Sequence, residues 1–227
     1  MSNRIINTWR DPYDAGFSTC RRKQIEIKPG LTVLVGCNGS GKSTLLHNIR
    51  DELKRENIPY FYYDNEKDGG SHSIGESVFH QNYSLAATQL CSSEGENITL
   101  NLGKIASQWR YFIETGETNQ NTFSKIFGSS LETTKSSKER WILLDAMDSG
   151  YSIDNVIEMK ELFDLIIEDS KYFNIIPYII ISSNEYELVN GSNCLDVTEG
   201  TYLTFQDYDA YKKFILHTRK KKDKRYN

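Results

Sequence analysis

Apolar residues fall into short runs separated by amphipathic stretches, and the two kinds alternate along most of the chain. "KQIEIKPGLTVLVG" (23–36) predicts two strands around a Pro-Gly turn, the second ending at Gly36. From Lys42 to Asn57 the spacing becomes helical, with Leu45, Leu46, Ile49 and Leu53 on one face. "IPYFYYD" (58–64) is rich in β-formers and predicts a strand. Residues 73–90 read as a small helical lobe, and 96–114 as a helix with Ile98, Leu102, Ile105, Trp109 and Phe112 on its apolar side. The Ser-, Thr- and Gly-rich stretch 115–140 predicts a long surface insertion. There follow a strand (Trp141–Leu144), a helix (about 153–170), a strand (about 175–181), a β-rich segment near 194–205 and a final helix (Tyr208–His217). Such alternation predicts an α/β fold with a mostly parallel sheet covered on both faces. No repeat or linker divides it, so one domain (1–227) is expected, with a small helical lobe at about 66–114.

Composition narrows the class without naming a function. Of 227 residues, 38% are hydrophobic and 26% charged, an ordinary globular balance. No apolar run approaches the ~18–20 residues of a bilayer span, and the first residues lack the apolar core of a secretory leader. Cys20, Cys37, Cys91 and Cys194 are scattered, which fits a reducing compartment better than a zinc site. The expectation is a cytoplasmic protein without membrane insertion. A net charge of −4 gives no overall nucleic-acid footprint, although "HTRKKKDKRYN" ends the chain in a basic tail (218–227). That tail reads as a solvated, frayed end or as a phosphate-contacting segment.

The most specific chemistry lies in "GCNGSGKST" (36–44), which fits G-x-x-x-x-G-K-[ST] between a predicted strand and a predicted helix. Glycines let successive N–H groups of Cys37, Asn38, Gly39, Ser40, Gly41 and Thr44 curl toward phosphate oxygens, and the helix start adds positive character. Lys42 is expected to reach the β- and γ-phosphates of ATP, and Ser43 to hold Mg²⁺. Asp145, ending the apolar run "WILLD", is expected in the metal shell.

These residues resemble the ABC-type ATPases, within them the soluble SMC, Rad50 and RecF branch. "PGLTVLVGCNGSGKSTLLHNI" is similar to that branch's phosphate loop, and "SSEGE" (92–96) to its signature turn, with Ser93, Gly95 and Glu96 matching and Glu94 where glycine is common. "DSGYSID" (148–154) resembles the loop after the second acidic motif, with two extra residues; "YIIISSNEYEL" (178–188) resembles the strand before the switch histidine, with Asn184 in that position. The likeness covers most of residues 20–205. It implies a P-loop NTPase fold of the ABC-head type, with Ser93 and Gly95 contacting ATP on a second copy, so that a homodimer sandwiches two nucleotides. A Ser-x-Gly-Glu helix start is an anion site in its own right, and equally a capping box. The interval 65–91 leaves no room for coiled-coil arms; Asn65 takes the place of a metal-contacting glutamine, with Gln81 and Gln89 late. A transporter subunit is therefore the weaker match.

Base recognition is less legible. Trp9, Tyr13 and Phe17 precede the first predicted strand, Tyr13 being the stacking candidate against ordinary packing. Arg21 and Arg22 sit where the soluble branch places a basic residue near the phosphates.

Hydrolysis needs an acceptor for the attacking water. The resemblance puts a glutamate directly after Asp145, where this chain has Ala146, and Asn184 cannot carry a proton at neutral pH. Asp148 is the candidate base, set against a turn-capping role, and Glu94 from a second copy is another. The expected activity is slow ATP hydrolysis coupled to DNA or a protein partner; the alternative is an ATP-gated interaction switch without hydrolysis.

Overall fold

A computed structural model of the chain describes residues 3–8, 20–65, 94–117 and 137–224, with only the backbone of 94–102. Strand β1 (Arg4–Asn7) pairs antiparallel with β2 (Gln24–Ile27), and after a tight turn at Gly30 the chain enters β3 (Gly30–Val35). Helix α1 (Lys42–Arg55) leads to β4 (Tyr60–Asp64), and α2 (Glu94–Thr115) precedes β5 (Glu139–Asp145). Helix α3 (Ile153–Tyr172), β6 (Ile176–Ser182), the short α4 (Tyr186–Val189), the β7 (Asn193–Asp196) and β8 (Thr201–Leu203) hairpin and α5 (Tyr208–Asp223) complete the described chain.

The main sheet has six strands in the order β4-β5-β6-β3-β7-β8, all parallel except the last pair. Its inner strands read as continuous apolar runs because both faces are covered. Along β5 and β6, Trp141, Leu143, Tyr178 and Ile180 face α1 and the β1–β2 ribbon, while Ile142, Leu144, Ile179 and Ile181 face α2 and α3. Trp141 stacks on Tyr178 across the ladder with ring centroids 4.1 Å apart. The buried carboxylate of Glu52 ties ribbon to helix by accepting from the Asn7 amide (3.1 Å) and Asn7 Nδ2 (2.9 Å).

The mostly parallel α/β sheet is as expected, and the predicted elements that fall on described residues appear with shifted ends. The strand expected at Trp141 begins at Glu139, within the stretch read as insertion; the rest of that stretch and the lobe at 73–90 lie largely outside the described residues. Strand β1 had no sequence signal beyond two isoleucines and forms by pairing with β2. Helix α5 runs six residues past its expected end, to Asp223, so the basic stretch is mostly helical. Lys and Arg are good helix formers, and Lys220, Lys221 and Lys222 complement the negative end of the helix dipole. No described helix is long and apolar enough to cross a membrane.

Candidate functional site

In an open parallel sheet the C-terminal strand ends form the natural crevice, because the loops there diverge. Here β3, β5 and β6 lie side by side and deliver Gly36–Thr44, Asp145–Asp148 and Ser182–Asn184 to one edge. The β3–α1 turn depends on glycine. Gly36 (φ 154°), Gly39 (φ 74°) and Gly41 (φ 101°) take backbone conformations that disfavour side chains, and a Cβ on Gly36 would lie 2.5 Å from Ser40 Oγ. The turn closes through the Ser40 amide donating to Cys37 O at 3.0 Å. Ser40 Oγ is buried and has no hydrogen-bond partner among the described residues. Gly41 caps α1 without a side-chain bond, and the first helical turn holds no acid. Its leading N–H groups thus face the turn without a side-chain cap, the arrangement that suits an anion.

Lys42 Nζ crosses the turn to donate to Gly36 O (2.8 Å) and to Asn184 Oδ1 (2.9 Å). Burial lowers its pKa, opposed by the nearby Asp148, Cys37 and Asp145. Ser43 Oγ donates to Asp145 Oδ1 at 3.1 Å, and the same oxygen accepts from Ser182 Oγ. Ser182 in turn accepts the Ala146 amide at 2.9 Å, which locks the strand end. Ala146 itself has φ 51°, a left-handed conformation that costs an alanine about 1–2 kcal/mol.

Asp148 gathers three donors on one oxygen. Its Oδ2 accepts from Ser183 Oγ (3.0 Å), Asn184 N (2.6 Å) and Glu185 N (3.2 Å). The carboxylate therefore caps the turn after β6 and fixes the residue that faces Lys42. On the other side of that turn, Tyr211 Oη donates to Asn184 O at 2.9 Å, and burial raises the phenol's pKa so that it stays a donor. Beside Asn184 opens a cavity of about 620 Å³ walled by Ile153, Tyr186, Tyr208, Tyr211, Ile215 and Leu216.

The structure thus brings together Cys37 to Thr44, Asp145, Asp148 and Asn184, but it corrects two expectations: the Cys37 amide donates to Thr218 Oγ1 (3.2 Å) and the Ser40 amide to Cys37 O (3.0 Å), so neither is free for a phosphate oxygen. Arg21 instead pairs with Glu199 at 3.2 Å, and Arg22 O accepts from Thr8 Oγ1, contacts that lie away from the glycine turn. Asn65, at the end of β4, donates to Ser149 O at 2.8 Å. Tyr13 and Ser93 lie outside the described residues, and Gly95 has only its backbone described, in the first turn of α2. Sequence reasoning missed Ser182, Ser183, Tyr211, Thr218 and Lys222. The serine pair after the apolar run of β6 was a readable signal; the residues of α5 had none, because their approach depends on how the last helix crosses the sheet.

The fold and this edge define an α/β protein with a mostly parallel sheet, compatible with the Rossmann and P-loop-like group. Within it, the family model Nephrocystin 3, N-terminal, matches residues 17–183, and the chain belongs to that family. No curated protein and no solved structure matches the chain. The matched family is a different one from the ABC-type resemblance, for which the comparisons give no support.

Proposed function

We propose that the chain binds ATP with Mg²⁺ at the β3–α1 turn and works as a nucleotide-gated switch with slow hydrolysis. The observation that carries this reading is the joint geometry of Lys42, Ser43 and Asp145. Lys42 Nζ spans Gly36 O and Asn184 Oδ1, while Ser43 Oγ sits 3.1 Å from Asp145 Oδ1. The donor set fits the group: an uncapped helix start and a glycine cradle for phosphate oxygens, a hydroxyl beside a carboxylate for a hard cation. Ser43 and Asp145 would hold Mg²⁺, which when bound offsets phosphate charge.

Lys42 would exchange one of its two protein acceptors for a phosphate oxygen, and the first-turn amides of α1 would hold the remaining oxygens. Slow rather than fast hydrolysis follows from the water side of the site. Ala146 offers no acceptor, and the Asp148 oxygen nearest the turn already carries three hydrogen bonds that favour its role as a turn cap. Equilibrium dialysis of ATP with Mg²⁺, and again with a chelator, tests the reading. Saturable binding that weakens on chelation is expected; no binding in either condition refutes it.

A second reading, the ATP-sandwiched homodimer of ABC-type heads coupled to DNA or a protein partner, draws on the start of α2 at Glu94, directly after Ser93. Sizing with Mg²⁺ and ATP against ADP tests it, a monomer in both ruling it out.

A further inference from the structure

The C-terminal helix reaches the glycine turn from outside. Thr218 is buried; its hydroxyl proton goes to Ile215 O (2.8 Å), which leaves its oxygen to accept the Cys37 amide at 3.2 Å. One helical turn on, the partly buried Lys222 donates from Nζ to Asn38 O at 2.9 Å. Its ammonium also lies 3.0 Å from where a Cβ on Gly39 would stand, so the lysine occupies the space that the glycine leaves. Two turns before Thr218, Tyr211 donates to Asn184 O, and Asn184 Oδ1 accepts from Lys42. A single 16-residue helix therefore touches three successive residues of the turn and the residue that faces Lys42.

We propose that α5 is a strap that holds the glycine turn in its phosphate-ready shape, with Thr218 and Lys222 as positioning residues; this rests on the nucleotide reading above. A turn with glycines at 36, 39 and 41 has much backbone freedom to lose, roughly 0.5–1 kcal/mol more per glycine than for alanine. The Cys37 and Ser40 amides are already bonded within the protein, to Thr218 Oγ1 and Cys37 O, so the turn's shape is held from the side of α5. Thr218 holds it at the Cys37 amide and Lys222 at the Asn38 carbonyl, and ordering before binding improves affinity. Coupling is reciprocal, so a ligand that tightens the turn also tightens α5 and the cationic last turn it carries.

The test is the Mg²⁺·ATP affinity of the full chain and five variants. Thr218→Val, which leaves the Cys37 amide without its acceptor, weakens binding about 5- to 20-fold, and Lys222→Ala about 2- to 5-fold. Thr218→Ser and Lys222→Arg stay within about twofold of wild type, because each keeps the bonding group. Amide exchange across 211–222 slows when Mg²⁺·ATP is present. If Thr218→Val and Lys222→Ala bind as wild type does while Lys42→Ala loses binding, the strap is wrong and the nucleotide site stands. If wild type itself does not bind, both proposals fall. Should Thr218→Val not fold, the Lys222 pair decides the matter.

Discussion

Lys42 and Asn184, far apart in sequence, meet with Nζ 2.9 Å from Oδ1 at the C-terminal edge of the sheet. The contact exists because β3 and β6 are hydrogen-bonded neighbours, so the turn after each strand opens onto the same crevice. It places the main cation of the site against a turn held from below by Asp148 and from the side by Tyr211.

Burial lowers the Lys42 pKa, so its charged form costs stability wherever the folded lysine stays protonated. That cost is fully present below the folded pKa and fades as pH rises from there toward the unfolded value of 10.5. The stability of wild type relative to Lys42→Met should therefore rise as pH climbs toward 10.5, and urea melts of the two proteins across that range check it. A relative stability that fell with pH would be of the wrong sign.

Ser43 and Asp145 should act together on Mg²⁺ and little on the fold. Ser43 is exposed, and its loss leaves Asp145 Oδ1 with Ser182 Oγ. In Ser43→Ala, stability changes by less than about 1 kcal/mol, while the Mg²⁺ enhancement of ATP affinity disappears. Calorimetric titration with and without Mg²⁺ checks both halves.

Asp148 distinguishes positioning from base catalysis by magnitude. As a cap with three donors, its replacement by alanine lowers stability by about 1–3 kcal/mol. Single-turnover hydrolysis by Asp148→Asn should then fall less than about tenfold. A general base would cost about 10²–10⁴, and a loss of that size would make Asp148 the base after all.

Ala146 holds a left-handed backbone at the site. Glycine adopts that conformation freely but loses about 0.4–1 kcal/mol in the unfolded chain, against the alanine's cost of about 1–2. Ala146→Gly should therefore gain about 0.5 kcal/mol in chemical melts. A clear loss would mean that the methyl group packs in a way that offsets its strain.

How far the sequence disclosed this arrangement depended on the range of the interactions. The change from the apolar run of β3 to the helical spacing of α1, with glycines between, was legible because it is local. Asp145 was legible for the same reason, as the polar end of an apolar strand. The capping role of Asp148 was only one of two readings, since its three donors come from the next strand's turn and no local pattern names them. Thr218 and Lys222 sit inside a run of charges that reads either as a solvated, frayed end or as a phosphate-contacting segment, with nothing local to single them out. They acquire meaning once α5 is laid across the turn, a packing outcome that composition does not encode.

Direct binding to wild type and Lys42→Ala puts the central claim to the sharpest test. Titration with Mg²⁺·ATP should give saturable one-to-one binding to wild type, weakened on the order of 100-fold by Lys42→Ala, as expected for the loss of charge-assisted bonds to phosphate. Equal affinity of the two proteins, or no binding by wild type at millimolar nucleotide, would contradict the account.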